Sequence, residues 1–229
     1  MIKRLVVAVL LASPVWAQAQ DVEKGSNVTA SVKKPSRDFV MLSLGYNGWV
    51  KPDSIQTKGL GRTAHLDVCY DFPIKKTHLS FAAGIGIGAS NIYLNDQILL
   101  NTDTFTAARF VPETTNYKRY KLTTTYLEAP FELRYFANKD NRNKGFKAAI
   151  GMRVGTLISA HVKGRLDSTK VNYKENSKKY LSPWQFEATL RLGYGNFSIF
   201  GAYNITPLFK DGQGPLITPY SIGLTITGL

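Results

Sequence analysis

The sequence predicts an all-β fold: a single closed, antiparallel, up-and-down transmembrane β-barrel of about eight strands. Three observations predict it. From Asp38 onward apolar and polar residues alternate with period two, the mark of strands with one apolar and one polar face. Full charges recur in mid-strand on the polar face, as a narrow lumen filled by paired charges requires. The connections between strands alternate short and long, the asymmetry of outer-membrane barrels with tight periplasmic turns and longer extracellular loops.

The elements follow in chain order. Lys3 and Arg4 form a basic start, Leu5 to Ala12 an apolar stretch, and Ala17-Gln18-Ala19 a small-x-small cleavage site. This reads as a signal peptide over 1–19, cleaved near Gln20, because the apolar run is too short to cross a bilayer as a helix. Residues 20–37 are polar, contain small residues and a proline, and lack periodicity. They are expected to form a flexible periplasmic segment. The barrel domain is expected over 38–229.

Strands are placed near 38–50, 61–72, 78–94, 121–138, 146–165, 182–195, 197–209 and 217–228. Many reach ten residues or more, enough for a tilted strand crossing a bilayer. The clearest runs from Trp184 to Tyr194, where every even residue is apolar and every odd one polar or glycine. In 146–165, Phe146, Ala148, Ile150, Met152, Val154, Ile158 and Val162 share one predicted face. Lys147, Gly151, Arg153, Ser159, His161 and Lys163 share the other. In the last strand Tyr220, Ile222, Leu224 and Ile226 alternate with Ser221, Gly223, Thr225 and Thr227. In 78–94, Gly84, Gly86 and Gly88 have GxGxG spacing inside a strand, not the strand-to-helix GxGxxG of a nucleotide loop. Period two puts all three on the lumen face, where missing side chains leave room for bulky neighbours.

The short connections are 73–77, 139–145 and the Gly195-Asn196 turn. An even strand count places both barrel termini with them, on the periplasmic side, and leaves 51–60, 95–120, 166–181 and 210–216 outside the cell. The mid-strand charges Glu128, Glu132, Arg134, Arg153, Glu187 and Arg191 are mixed in sign and form the candidate lumen network. Aromatics gather towards strand ends, where interfacial girdles would lie: Phe39, Tyr46, Trp49, Tyr70, Phe72, Tyr93, Tyr126, Tyr135, Phe146, Trp184, Tyr194, Phe197 and Tyr220. Eight strands enclose a space that side chains fill, which weighs against a porin-like channel.

The segment Tyr126-Leu127-Glu128-Ala129-Pro130, running into Phe131-Glu132-Leu133-Arg134-Tyr135, resembles the small outer-membrane barrels of Bacteroidetes, the PorT-like group. Members commonly show Tyr-Leu-Glu-Ile-Pro after a long loop; Ala129 replaces the Ile here. The glycine-rich strand and the closing Tyr220-Ser221-Ile222-Gly223-Leu224 are similar too. The resemblance spans roughly 38–229 and implies the barrel and the outer-membrane compartment. It does not imply a task.

Composition narrows the function classes. The net charge is +13, and the basic residues are scattered over tails, turns and loops. An exported chain rarely meets nucleic acid, so the charge points to outer-membrane lipid and lipopolysaccharide, an acidic surface glycan or an envelope protein partner. Cys69 is the only cysteine and His65, His78 and His161 the only histidines, which argues against a metal site; no cofactor is expected. His65 lies two residues from Asp67, and His161 two from Ser159. Neither spacing shows a nucleophile with an oriented base. Lys170, Lys174, Lys178 and Lys179, with Tyr173 and Tyr180 among them, make the outer loop 166–181 a candidate phosphate or glycan contact. Ile98, Leu99, Leu100 and Phe105 are apolar residues in the longest loop, suited to a protein partner or to a β-ribbon above the membrane. The leading expectation is a monomeric, non-enzymatic outer-membrane barrel that works through its loops. An outer-membrane lipid-modifying enzyme and a soluble periplasmic barrel binding an apolar ligand are the alternatives.

Overall fold

The computed structural model describes residues 39–75, 77–100, 106–115, 117–138, 144–166 and 171–228. The segments expected over 1–19 and 20–37, together with Phe105 and Lys170, lie outside that set. Eight long strands close the barrel: β1 (Val40–Val50), β2 (Gly61–Pro73), β3 (Leu79–Leu94), β6 (Tyr117–Phe136), β7 (Phe146–Leu166), β9 (Trp184–Tyr194), β10 (Phe197–Asn204) and β11 (Thr218–Thr227). Each pairs antiparallel with its neighbours in the order β1-β2-β3-β6-β7-β9-β10-β11, and β11 returns to β1 over Met41–Val50. Three short strands lie outside this ring order: β4 (Gln97–Leu100) and β5 (Arg109–Pro112) form a ribbon, and β8 (Asn172–Asn176) pairs with the far end of β7.

Alternation decides what each face meets. Leu44, Leu66, Ile85, Ile87, Leu127, Phe131, Ile150, Phe186, Leu190, Ile199, Ile222 and Leu224 all point outward, with Leu190 52% and Ile222 55% exposed. The inward positions are buried and polar: Ser43, Asn47, Asp67, Glu128, Glu132, Arg134, Arg153, Glu187, Arg191 and Thr225 among them. This is the reverse of a soluble barrel, whose apolar face turns inward. The outer wall is a greasy belt: on β9 it runs from Trp184 to Tyr194, a rise of roughly 25 Å at ~3.3 Å per residue and ~40° tilt.

One end of the barrel carries the tight connections, 74–78, 137–145 and the Gly195-Asn196 turn, where Gly195 and Gly145 adopt positive φ as such turns require. The other end carries the long connections. Strand positions follow the period-two reading closely, with two shifts. β6 begins at Tyr117 rather than 121, and β10 ends at Asn204 rather than 209, because Leu208 and Phe209 leave the wall to pack over the mouth.

A bulge corrects the predicted faces of 146–165. Thr125 pairs with Ser159 and Tyr126 with Leu157, so Ile158 has no cross-strand partner. One extra residue inverts the alternation beyond it. Lys147, Ala149 and Arg153 face inward below the bulge, whereas Ala160 and Val162 face inward above it. His161 and Lys163 therefore point out, and Val162 in, opposite to the uninterrupted pattern. Two aromatics expected in the girdles also turn inward. Tyr126 is buried, and Trp49 packs against the inner apolar cluster with its ring 6.3 Å from Phe110.

Candidate functional site

Among the described residues, the lumen gathers most of the buried charges into two clusters. In the first, the Arg153 guanidinium donates to Glu187 (2.5 Å), contacts Glu128 (3.2 Å) and reaches Asp67 (3.5 Å). Glu128 also meets His65 Nδ1 at 2.9 Å, and the other imidazole nitrogen lies 2.9 Å from Thr63 Oγ1. In the second, Arg134 Nε donates to Glu132 at 2.7 Å and its Nη1 to Asp71 at 3.0 Å, while Arg191 donates to the same Glu132 oxygen at 2.7 Å. Lys147 donates to Thr227 Oγ1 at 3.0 Å. Charges this deep survive only when paired and hydrogen-bonded. Among the described residues, five carboxylates (Asp67, Asp71, Glu128, Glu132, Glu187) share the lumen with four basic side chains (Arg134, Arg153, Arg191, Lys147), with His65 beside Glu128.

All six residues expected in the network lie in the lumen, but they form part of the arrangement rather than all of it. Asp67, Asp71, His65 and Lys147 join them. The period-two rule would have found all four, since each sits at a lumen-facing position of its strand. Asp67 lies two positions from His65 on β2; His65 contacts Glu128 from β6, and Asp67 contacts Arg153 from β7. That long-range convergence is set by closure of the sheet, which no local spacing records.

The three glycines of β3 are what allow this convergence. Gly84, Gly86 and Gly88 stand directly opposite Cys69, Asp67 and His65 in the β2–β3 register. A Cβ on Gly88 would fall 2.3 Å from Glu128 Oε1 and 2.5 Å from His65 Nδ1. Without side chains, β3 lets the groups of β2 and β6 lie across it.

Above the charges, the lumen holds a cavity of 30 Å³ lined by Thr63, His65, Glu128, Gln185, Glu187 and Asn204, among others. That is room for about two waters. Over it lies the fold's apolar core, built from the long connections and strand ends: Ile55, Leu99, Tyr120, Leu122, Val162, Leu181, Leu208, Phe209 and Ile217 are all buried there. Backbone hydrogen bonds tie the connections together, from Lys58 to Tyr93, Ala108 to Gln213, Ser182 to Leu208 and Lys210 to Tyr180. Ile98 and Leu99 belong to the β4–β5 ribbon expected as one option for the longest loop. Leu99 is a buried member of this cap, and Ile98 packs against it. Charge network and apolar cap thus lie in series along the lumen.

The other candidates separate. Tyr173 and Lys174 adjoin on β8 and point to opposite sides. The Tyr173 hydroxyl donates to Glu175 at 2.6 Å, and this bond pushes its phenol pKa up to about 12. Lys178 reaches back to the carbonyl of Ile158 at 3.5 Å, and Lys179 lies over the Tyr180 ring. Among the described residues, Lys174, Lys178 and Lys179 have separate contacts rather than a shared one. His161 and Ser159 sit on the outer wall above the bulge, and His78 contacts the Phe136 carbonyl at 2.8 Å at the turn end. Among the described residues no three His, Cys, Asp or Glu side chains converge as metal ligands.

A family model described as "Outer membrane protein beta-barrel domain" matches residues 18–210. The match ends before β11, the strand that closes the sheet against β1. No curated protein matches the chain.

Proposed function

The chain belongs to the outer membrane protein β-barrel domain family, and from that premise we propose that it is a sealed, non-enzymatic barrel that serves the cell surface through its long connections. The observation that carries this reading is the double closure of the lumen. A lumen crossed by ion pairs and roofed by an apolar cap, with a cavity for about two waters between them, supports a barrel that passes no solute. The work then falls to the outside: structural support, adhesion or docking of an envelope partner. In this reading the capped end is extracellular, the turn end periplasmic, and the segment over 1–19 a signal peptide removed on export. The resemblance to PorT-like barrels of Bacteroidetes supports the same placement.

The lipid-modifying alternative needs a nucleophile, an oriented imidazole and access to lipid. Thr63, His65 and Glu128 do form a hydroxyl–imidazole–carboxylate chain, but it lies inside the sealed lumen, away from the lipid-facing wall. Among the described residues, His161 and Ser159 face outward without a carboxylate partner in hydrogen-bond reach. Two experiments test the proposal. The native protein should be extracted from envelopes only by detergent and should shift in gel mobility on boiling; release by salt or alkali would refute membrane insertion. Deletion of the gene, and the variants His65→Ala and His161→Ala, should leave the lipid A profile unchanged; a change would favour the enzyme.

A further inference from the structure

On the outer wall above the bulge, three adjacent strands present cations to one another. Lys121 of β6 pairs directly with Lys163 of β7, and Lys163 directly with Lys174 of β8. One row higher, Arg119 stands opposite Arg165. All five lie at outward positions, since their neighbours Tyr120, Leu122 and Val162 fill the inner core. Like charges directly opposite on a sheet repel, and sequences normally intersperse acids to relieve this. Here none of the five makes an ion pair among the described residues. On β8 the carboxylate of Glu175 pairs with Val162 in the register and therefore points to the opposite face, where Tyr173 holds it. The register sets the three lysines side by side, and burial together with their ammonium groups holds the pKa of His161, one row lower, below the usual imidazole range.

The height of the patch identifies what would balance it. Along β6 the outward residues run Leu127, Thr125, Thr123, Lys121, from the top of the apolar belt upward. Lys121 is thus roughly 15 Å above Leu127 at ~3.3 Å per residue and ~40° tilt. Its side chain bends back down: Nζ donates to Asn91 Oδ1 at 2.7 Å, one row closer to the belt, and lies 5.9 Å from the centre of the Tyr93 ring. A lysine stem laid along the wall with its charge aimed at the membrane boundary is the posture of a residue seeking headgroups. We infer that Lys121, Lys163 and Lys174, flanked by Arg119 and Arg165, form a binding surface for the phosphates of anionic lipid headgroups in the leaflet around the capped end. This inference rests on the membrane placement proposed above and names the lipid chemistry that the outer wall selects.

The test uses the full chain refolded into phosphatidylcholine vesicles that contain a fluorescent diphosphoryl glycolipid or its dephosphorylated form. A nitroxide at Ser159→Cys, in a Cys69→Ala background, reports contact by quenching. The diphosphoryl lipid should concentrate at the label, and added salt should weaken it. Lys121→Gln, Lys163→Gln and Lys174→Gln together should lower its affinity about a hundredfold, roughly a factor of five for each cation lost. The corresponding triple arginine variant should retain binding. Equal quenching by both lipids, or unchanged affinity in the triple glutamine variant with its heat-modifiable mobility intact, would overturn the inference while leaving the membrane placement standing. Failure of the wild-type chain to enter vesicles of any composition would overturn both.

Discussion

Asp67 and Gly86 face each other across β2 and β3 so closely that a Cβ on the glycine would lie 2.0 Å from Asp67 Oδ1. The carboxylate occupies the space that a side chain would need, and its other oxygen points towards Arg153. The glycine run of β3 and the buried charges of β2, β6, β7 and β9 are therefore one feature, not two.

Gly86→Val should force Asp67 out of the network and destabilise the barrel by about 1–3 kcal/mol from overpacking alone. Gly201→Ala is the control, since an added Cβ there meets nothing within 4 Å. Urea unfolding in lipid vesicles should separate the two, with a lowered midpoint for Gly86→Val and a wild-type midpoint for Gly201→Ala.

Arg153→Met removes the one cation shared by Asp67, Glu128 and Glu187. Leaving buried carboxylates without that partner should cost about 3–5 kcal/mol. Adding Glu187→Gln should recover part of the loss, because one of the three uncompensated charges is then gone. Unfolding midpoints of the single and double variants check this; a double variant less stable than the single would contradict it.

The apolar cap predicts a stability effect without a conductance effect. Leu99→Ala or Phe209→Ala should cost about 2–5 kcal/mol by emptying a packed site. The charge clusters beneath remain in place, so planar-bilayer current should stay at baseline in both variants. A sustained current would show that the cap is the only barrier in the lumen.

Leu190→Arg puts a charge on the outer wall near mid-belt. It should destabilise the inserted barrel by about 2–4 kcal/mol, measured by reversible unfolding from vesicles. An effect near zero would mean that Leu190 does not meet hydrocarbon.

Much of this structure is legible in the sequence because alternation with period two is both the local signal and the global rule of a barrel wall. The eight strands, the alternation of tight and long connections, the lumen position of the β3 glycines and the six mid-strand charges all follow from it. What escapes is whatever breaks or exceeds the period. The bulge at Ile158 reverses His161, Val162 and Lys163, and nothing in residues 156–160 announces it. Trp49 and Tyr126 look like girdle aromatics because their turn towards the inner face depends on a cap assembled from distant connections. His65 and Glu128 are 63 positions apart, so their contact exists only once β2, β3 and β6 are in register. The row Lys121–Lys163–Lys174 is hidden for the same reason, since the bulge and the β7–β8 pairing create it.

The most direct measurement places a nitroxide at Leu190, at Ile222 and at Ser198 in turn, in a Cys69→Ala background refolded into vesicles, and compares collisions with molecular oxygen and with a water-soluble nickel chelate. Labels at Leu190 and Ile222 should collide with oxygen and be hidden from nickel, whereas the inward label at Ser198 should be shielded from both. Nickel-accessible labels at Leu190 and Ile222, or labels shielded there from both reagents, would contradict a wall that turns its apolar face to lipid and its charges inward.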